Sequence, residues 1–269
     1  MIVADAGWAD WLAVSDTQLF LALNMRGARA SGTRSSVAAV PLSGGVPAEL
    51  PGTETLGVEI SGIAVSNDVV YFSRVGGPDL RDSGLFLYSS GQLVAVTTDL
   101  LISPAGIAVN SGLFIADTTG GRIYRVTGGR ITTYAGRAGC GDRNPPVAGP
   151  ATEAALCSPQ LLALSATDDL YVAPRGGPWI AKIDAAATLS VFVKDFDSSS
   201  LAIDSSGALL AASEPRLVRF DAAGTPTTIA DDLGSVRAIA VGGDGSIYVL
   251  HQFVTSGTTR SLVTRLRRV

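Results

Sequence analysis

Asp10, Arg74, Arg237 and His251 are the residues whose types and positions in this sequence could best form a binding site. His251 is the only histidine of the 269 residues, and it follows directly on an apolar run. A carboxylate such as Asp10 could hold its imidazole by charge and hydrogen bond, whereas Arg74 or Arg237 could receive an anionic group of a ligand. These residues lie far apart in the sequence, so only the fold can bring them together.

The elements that must position them repeat along the chain. Each unit has an apolar strand with a central alanine, a turn, a second apolar strand, and two further strands separated by turns. Six triplets mark the units: Leu12–Val14, Ile63–Val65, Ile107–Val109, Leu162–Leu164, Leu201–Ile203 and Ile239–Val241. Their central alanines are separated by 51, 44, 55, 39 and 38 residues. Because a four-stranded propeller blade takes about 40–50 residues, the repeat predicts an all-β fold, a six-bladed β-propeller with four-stranded blades.

The last unit is completed by the first residues of the chain. Only three strands are visible in it: Ala238–Val241, Ser246–Leu250 and Ser261–Arg267. Ile2–Gly7 resembles Ile229–Gly234, the outer strand and exit turn of the fifth unit, so we expect Ile2–Ala4 to supply the fourth strand of the last blade. This closure leaves no open edge between the first and last blades. A linear solenoid is the alternative, but it does not require complementary ends, and we predict a single domain over residues 1–269.

In this fold, Asp10, Arg237 and His251 belong to the first and last blades, which are neighbours across the closure. Alignment of the units puts Asp10 and Arg237 at the start of inner strands, and Arg74 and His251 at the ends of second strands. We predict that these four residues form a ligand pocket at one mouth of the central channel. A hydrogen-bonded structural role for His251 is the alternative. For Asp117, in an Asp-Thr-Thr-Gly-Gly-Arg turn, we expect the carboxylate to accept turn amides.

No catalytic motif accompanies these residues. A zinc lyase on this fold would need several histidines, and no Gly-x-Ser-x-Gly turn accompanies the single histidine as a Ser–His–Asp hydrolase would favour. A calcium-dependent lactonase or esterase needs several carboxylate or amide oxygens at the channel mouth, where only Asp10 and, more weakly, Gln160 stand. Such a hydrolase is the alternative function, with loop ligands such as Asp79, Asp82 or Glu214. We expect no metal and no cofactor.

Composition argues against two classes of partner. The net charge is −4, so no basic field would steer the protein to nucleic acid, and the aromatic residues stand at strand positions rather than beside exposed basic ones. No run of about 18 apolar residues is present to insert into a membrane.

Residues 1–8 lack the basic and apolar regions of a signal peptide, and a start within a strand suggests an excised domain or a mature chain. We expect a monomer.

Cys140 and Cys157 are the only cysteines, and both lie in one long inter-blade segment. An even count within a single excursion favours a disulfide, which would stabilise the fold by about 3 kcal/mol on chain-entropy grounds. Disulfides persist in oxidising compartments, so the pair predicts an exported protein, extracellular or periplasmic. A zinc site is the weaker alternative, because two thiols and one distant histidine are too few ligands.

The segment around the cysteines has a distinctive sequence. It reads TTYAGRAGCGD at Thr132–Asp142 and GPATEAALCSP at Gly149–Pro159, and strand sequences flank it on both sides. This part of the chain, residues 105–175, resembles the blade connector and strands of bacterial NHL-repeat propellers. The resemblance implies a six-bladed propeller used mainly for binding, often as the extracellular module of a larger bacterial protein. The chain departs from the family pattern where two cysteines enter the connector and where blades 1 and 2 carry enlarged loops.

One face of the predicted ring carries all the long segments. Turns from inner to second strands and from third to outer strands are short, and the long segments fall in the other two classes of connection: Asn24–Ser35, Arg74–Ser83, Gly136–Pro159 and Gln252–Thr259. Strand alternation puts both of these classes on one face, here named the elaborated face, opposite the plain face. Because binding usually occurs on loops of a rigid scaffold, we predict a non-enzymatic module that binds a protein or a small anionic ligand through the elaborated face. The alternatives are tolerated insertions on an idle face and a scaffold role without a small ligand.

Overall fold

The computed structural model describes residues 2–26, 33–56, 58–76, 83–97, 101–138, 144–174, 176–255 and 258–266. Its strands form six antiparallel sheets arranged as the blades of a β-propeller, which confirms the predicted fold. Within the described ranges, the only helix is a single 3₁₀ turn. No helix in this part of the chain is long and apolar enough to cross a membrane.

The strands follow one another from the inner to the outer edge of each blade, with two exceptions: the first strand of the chain, β1 (Ile2–Gly7), belongs to blade 6, and the short strand Gly149–Pro150 is outermost in blade 4 although it precedes the other strands of that blade. Blade 1 contains β2 (Ala9–Val14), β3 (Gln18–Arg26), β4 (Thr33–Pro41) and the short outer strands β5 (Ala48–Glu49) and β6 (Thr55–Leu56). Blade 2 contains β7 (Glu59–Ser66), β8 (Val69–Val75), β9 (Gly84–Ser89) and β10 (Gln92–Thr97). Blade 3 contains β11 (Pro104–Val109), β12 (Leu113–Asp117), β13 (Arg122–Thr127) and β14 (Arg130–Ala135).

The connector to blade 4 adds an extra outermost strand and the one helical turn. This blade contains β15 (Gly149–Pro150), the 3₁₀ turn Ala151–Glu153, β16 (Leu161–Leu164), β17 (Leu170–Ala173), β18 (Trp179–Ile183) and β19 (Thr188–Lys194). Blade 5 contains β20 (Ser200–Ile203), β21 (Leu209–Ser213), β22 (Arg216–Phe220) and β23 (Pro226–Ala230). Blade 6 contains β24 (Ser235–Val241), β25 (Ile247–Thr255) and β26 (Thr258–Leu266), with β1 outside β26.

The ends of the chain close the ring as predicted. β1 runs antiparallel to β26, with Ala4 opposite Val263 and Gly7 opposite Ser261. The Ser261 hydroxyl then donates a buried hydrogen bond of 3.0 Å to the carbonyl of Ala9 at the start of blade 1. The N-terminal residues therefore join blade 6 to blade 1 through both a strand ladder and a side-chain contact.

In two segments that the sequence analysis assigned to long loops, Asn24–Ser35 and Gln252–Thr259, the described residues are strand. β25 and β26 pair as far as Thr255 opposite Thr258, and β3 and β4 pair as far as Arg26 opposite Thr33. In β25 and β26, the β-branched residues Val254, Thr255 and Thr258 favour extended backbone, so this strand pairing extends into the segment. The two long hairpins belong to neighbouring blades and rise on the elaborated face.

The core lies between blades rather than within any one of them. In blade 4, every residue of β16 and β17 is buried, because both faces of the sheet are covered by neighbouring blades. Phe114 and Ile123 of blade 3 pack in one cluster with Leu170 and the fully buried Trp179 of blade 4. Burial of each such side chain stabilises the fold by about 1.5–3 kcal/mol, which accounts for the high apolar content of the sequence.

The inner strands leave only a small cavity at the centre of the ring, about 80 Å³, lined by residues of all six blades. Gly62 and Gly106 narrow it, because the missing side chains let adjacent inner strands touch. The N–H of Gly106 donates a hydrogen bond of 2.9 Å to the carbonyl of Gln160 in the next blade. Small-ligand pockets usually measure about 300–1,000 Å³, so the channel interior is too small for an ordinary ligand.

Replacement of Gly106 by alanine is expected to lower the free energy of unfolding by about 2–3 kcal/mol. A Cβ at this position would overlap the carbonyl oxygen of Gln160, and backbone cannot move aside as a side chain can. Gly243→Ala is the matched control, because its Cβ would meet the carboxylate of Asp16, an exposed side chain that can shift. Urea unfolding of both variants tests this, and equal stability losses would contradict it.

The plain face is built from short turns that aspartates hold closed. Asp184, Asp204, Asp221 and Asp244 each accept, through Oδ1, the backbone N–H of the residue two positions later, at 2.8–3.0 Å. In each case the side-chain hydrogen bond takes the place of a backbone turn bond, so the connection between the two strands is closed without extra residues. The local sequence therefore explains why this face stays short and regular.

One of these turns predicts a pH dependence of stability. Burial alone would raise the pKa of Asp204, but hydrogen bonds from Ser206, Arg219 and nearby backbone N–H groups outweigh it and lower that pKa. The pKa of this carboxylate is lower in the folded protein than in the unfolded chain, where it is about 3.9. Its ionised form therefore stabilises the folded protein fully above that unfolded pKa. This stabilisation is lost as the pH falls through the pKa of the folded state.

We therefore expect Asp204→Asn to destabilise the protein at neutral pH and to flatten the loss of stability below about pH 4. Urea unfolding at a series of pH values measures this slope. Arg219→Gln should reproduce part of the effect, because Arg219 Nε lies 2.6 Å from Asp204 Oδ2. An unchanged slope in Asp204→Asn would show that this carboxylate does not carry the acid dependence.

Candidate functional site

The structure brings two of the four predicted site residues into contact. Arg237 in β24 and Asp10 in β2 form an ion pair across the ring closure, with Nη2 3.0 Å from Oδ1. Each stands at an irregularity of its strand pairing, between Val236 and Ala238 and between Ala9 and Trp11. Such a bulge re-aims one side chain, and here it turns both charged groups towards each other.

Asn24 fixes the other side of the Asp10 carboxylate. Its Nδ2 donates to Asp10 Oδ2 at 3.2 Å and to the carbonyl of Ile60 at 2.9 Å, while its Oδ1 accepts the N–H of Ile60 at 3.0 Å. Asn24 was not among the four residues that the sequence analysis proposed for this site. The signal that could have found it is that Asn24 is a polar residue directly after the apolar run of β3.

His251 takes a structural position instead of pairing with Asp10. Its Nδ1 lies 2.8 Å from the carbonyl of Leu233, and its Nε2 lies 2.6 Å from Thr264 Oγ1. Because a carbonyl only accepts, Nδ1 must carry a hydrogen. Both ring nitrogens are thus engaged within blade 6, so the predicted hydrogen bond between Asp10 and His251 is replaced by these contacts.

Arg74 lies in blade 2 and is only 8% exposed. Its guanidinium carbon stands 4.4 Å from the ring centre of Phe86 and 5.1 Å from that of Phe72, and Nη2 donates to the carbonyl of Thr53 at 3.3 Å. Contacts of this kind stabilise a cation against aromatic faces. Arg74 is therefore packed between its own blade and the outer part of blade 1, and it does not join the pair formed by Asp10 and Arg237.

A cleft of about 390 Å³ opens beside Arg237 on the elaborated face. It lies between the loops of blades 4 and 5 and the start of β24. Its polar lining comes from Asp197, Ser198, Ser199, Ser213, Glu214 and Arg237. The Arg237 side chain is 34% exposed, so part of it faces the cleft, while its Nη2 contacts the mostly buried Asp10.

Two other lining groups have defined positions. Glu214 is exposed, and its Oε1 accepts a hydrogen bond of 2.8 Å from the Ser235 hydroxyl. Ser198 is 1% exposed, and its hydroxyl has no hydrogen-bond partner among the described residues. A buried polar group without a partner is unfavourable by about 1–3 kcal/mol, so a ligand that satisfied it would recover that energy.

Asp117 serves as a structural cap, which confirms the sequence-based interpretation. It is fully buried, and its carboxylate accepts the N–H groups of Ile102, Ser103 and Gly120 at 2.9–3.0 Å. These contacts tie the turn after β12 to the connector that leads into blade 3.

Several predicted features fall wholly or partly outside the described residues. Cys157 is buried and no described cysteine is free, but Cys140 lies outside the described residues, so their pairing remains a prediction. The loop carboxylates Asp79 and Asp82, considered as calcium ligands, also lie outside them. Within the described part of the chain, no three His, Cys, Asp or Glu side chains are grouped to hold a metal ion.

Comparisons with known proteins reveal the fold. No protein-family profile matches the sequence, and no curated protein does. A chain of the crystal structure of the nidogen/laminin complex superposes with a TM-score of 0.61 at 16% identity, over 82% of this chain and 84% of that one.

Two enzymes are similar to a comparable degree. Virginiamycin B lyase from Staphylococcus aureus matches with a TM-score of 0.60 at 16% identity, over 98% of this chain and 85% of that one. The PQQ-bound aldose sugar dehydrogenase from Streptomyces coelicolor matches with a TM-score of 0.58 at 17% identity, over 98% and 96%. At such low identity the likeness concerns the fold alone, and this fold hosts both binding proteins and enzymes. By fold, the chain is a six-bladed β-propeller.

Proposed function

We propose that this chain is a non-enzymatic, NHL-like binding module that takes a small ligand with an anionic group in the cleft beside Arg237. The observation that carries the proposal is the cleft itself, which opens on the elaborated face against a partly exposed guanidinium. Its volume, about 390 Å³, falls within the range of small-ligand pockets. The central cavity, about 80 Å³, does not.

The guanidinium is oriented before any ligand arrives. Asp10 holds Arg237 through Oδ1, and Asn24 holds Asp10 through Oδ2. A side chain fixed in advance loses less conformational entropy on binding. A guanidinium carries five N–H donors and can contact several groups at once, and the Arg237 side chain, 34% exposed, is accessible to a carboxylate or phosphate in the cleft.

The same proposal includes the setting of the protein. The likeness of residues 132–159 to the NHL connector supports a bacterial extracellular module, and the two cysteines of that segment support export with a disulfide. We propose that the protein is extracellular or periplasmic and monomeric. Reducing and non-reducing mass spectrometry of the purified protein tests the pairing of Cys140 with Cys157.

Binding of a panel of small anions tests the function. The panel contains acetate, succinate, inorganic phosphate and the common L-amino acids, and saturation-transfer NMR followed by calorimetry measures binding. We expect saturable binding of at least one compound, unchanged by EDTA and weakened about tenfold or more in Arg237→Gln, since charge-assisted hydrogen bonds contribute about 1.5–3 kcal/mol.

Arg130→Gln is the control, because Arg130 is an exposed arginine at a turn of the plain face. Binding that is equal in wild type and Arg237→Gln would contradict the site, and the absence of binding by every compound would contradict the function. Binding or ester hydrolysis that EDTA abolishes would instead support the calcium-dependent hydrolase.

A further inference from the structure

The cleft beside Arg237 carries more negative than positive charge among its described residues. Asp197 and Glu214 are both exposed there, and the charge of Arg237 is already matched by Asp10 at 3.0 Å. A ligand that was only anionic would approach Arg237 and meet two carboxylates as well. The electrostatics therefore favour a ligand that also carries positive charge.

Glu214 is placed to receive such a positive group. It occupies the short turn between β21 and β22, and this turn is held by a hydrogen bond of 2.8 Å from the N–H of Leu233 to the carbonyl of Pro215. Ser235 engages Oε1, and among the described residues nothing donates to Oε2. A carboxylate oxygen only accepts hydrogen bonds, so it suits an ammonium group with its three donors.

Ser198 supplies an independent sign that a polar ligand group belongs in the cleft. Its side chain is almost completely buried, and its hydroxyl is unsatisfied within the described structure. Its position is fixed through its own carbonyl, which accepts the N–H of Gly176 at 2.9 Å. A hydroxyl can donate to a carboxylate or accept from an ammonium group, so it fits either end of a zwitterion.

We propose that the ligand is a zwitterion of the amino-acid type, with its carboxylate on Arg237 and its ammonium group on Glu214 and Asp197. The Ser198 hydroxyl completes the contacts. This inference rests on the proposed function, because it assigns the ligand class of the same cleft. The volume of about 390 Å³ accommodates a free amino acid or a dipeptide.

Calorimetry with matched probes tests the assignment. The tightest-binding L-amino acid of the panel is compared with the carboxylic acid that lacks its amino group and with the amine that lacks its carboxylate. We expect each single-charge analogue to bind at least about tenfold more weakly than the amino acid. D-Glucose serves as a neutral polyol probe, and we expect it not to bind.

Variants separate the two charges. Glu214→Gln should weaken amino-acid binding about tenfold and leave the des-amino acid unaffected or bound more tightly, because a repulsive charge is removed. Glu54→Gln, an exposed carboxylate outside the cleft, should bind as wild type does.

If the des-amino acid binds as tightly as the amino acid and Glu214→Gln has no effect, the zwitterion is wrong while anion binding at Arg237 stands. If glucose binds and no amino acid does, both assignments of ligand charge are wrong. If an amino acid binds equally well to Arg237→Gln, the site beside Arg237 is wrong and the zwitterion assignment fails with it, whereas the absence of binding by every compound would contradict the proposed function itself.

Discussion

Deletion of residues 1–7 is expected to lower the free energy of unfolding by more than about 5 kcal/mol, which is comparable with the whole stability of many domains. The deletion removes β1, so the backbone groups of β26 that pair with it lose their partners. Each lost backbone hydrogen bond contributes about 0.5–1.5 kcal/mol, and the uncovered edge invites pairing with other chains. Val263, fully buried in the cluster between blades 6 and 1, would lose Ala4 as its strand-pairing partner.

Thermal unfolding and light scattering of the truncated protein measure this effect. We expect a lowered melting temperature and concentration-dependent aggregation. A synthetic peptide of residues 1–7, added in excess, is the control, because it should restore part of the stability by occupying the same edge. A truncated protein with the melting temperature of the full chain would show that the ring does not depend on its N-terminal strand.

Asp117→Ala is expected to give the second large effect, a loss of about 3–5 kcal/mol, because one buried and two partly buried backbone N–H groups would lose their acceptor at about 1–3 kcal/mol each. The three donors belong to Ile102, Ser103 and Gly120, so the turn after β12 and the connector into blade 3 would loosen together. No ligand contact is lost in this variant, since Asp117 does not line the cleft beside Arg237.

Asp117→Asn is the matched control, because the amide keeps the shape and one acceptor oxygen. We expect its stability to lie between those of wild type and Asp117→Ala, as measured by urea unfolding. Equal stability of wild type and Asp117→Ala would show that water reaches and satisfies the three N–H groups.

The two effects have different meanings for function. A ring opened at β1 would also separate Asp10 from Arg237, because the pair spans the junction between the first and last blades. Ligand binding in the truncated protein should therefore fall with its stability. The Asp117 variants change a part of the ring remote from that junction in sequence, and their residual folded fraction should bind the ligand as wild type does.

The sequence by itself determined the blade count and the closure. Alternation of apolar residues and the spacing of turns are local properties, so six repeats and a complementary N-terminus predict the ring without any knowledge of distances. Part of the role of Asp117 was likewise readable, because a carboxylate in a Gly-rich turn bonds to a turn amide, here that of Gly120, whereas its bonds to Ile102 and Ser103 came from the fold. Turn chemistry also explains the short aspartate turns of the plain face.

Only the tertiary structure decided which side chains meet. Asp10 contacts Arg237 and not His251, because bulges in β2 and β24 rotate those two residues towards each other, while Leu233 and Thr264 occupy both nitrogens of the histidine. Arg74 faces aromatic rings of its own blade. The cleft beside Arg237 arises where loops of three blades converge. Such contacts depend on offsets of a few ångströms between distant segments. A repeat pattern specifies which residues occupy equivalent positions in the six blades, but not the direction in which each side chain points.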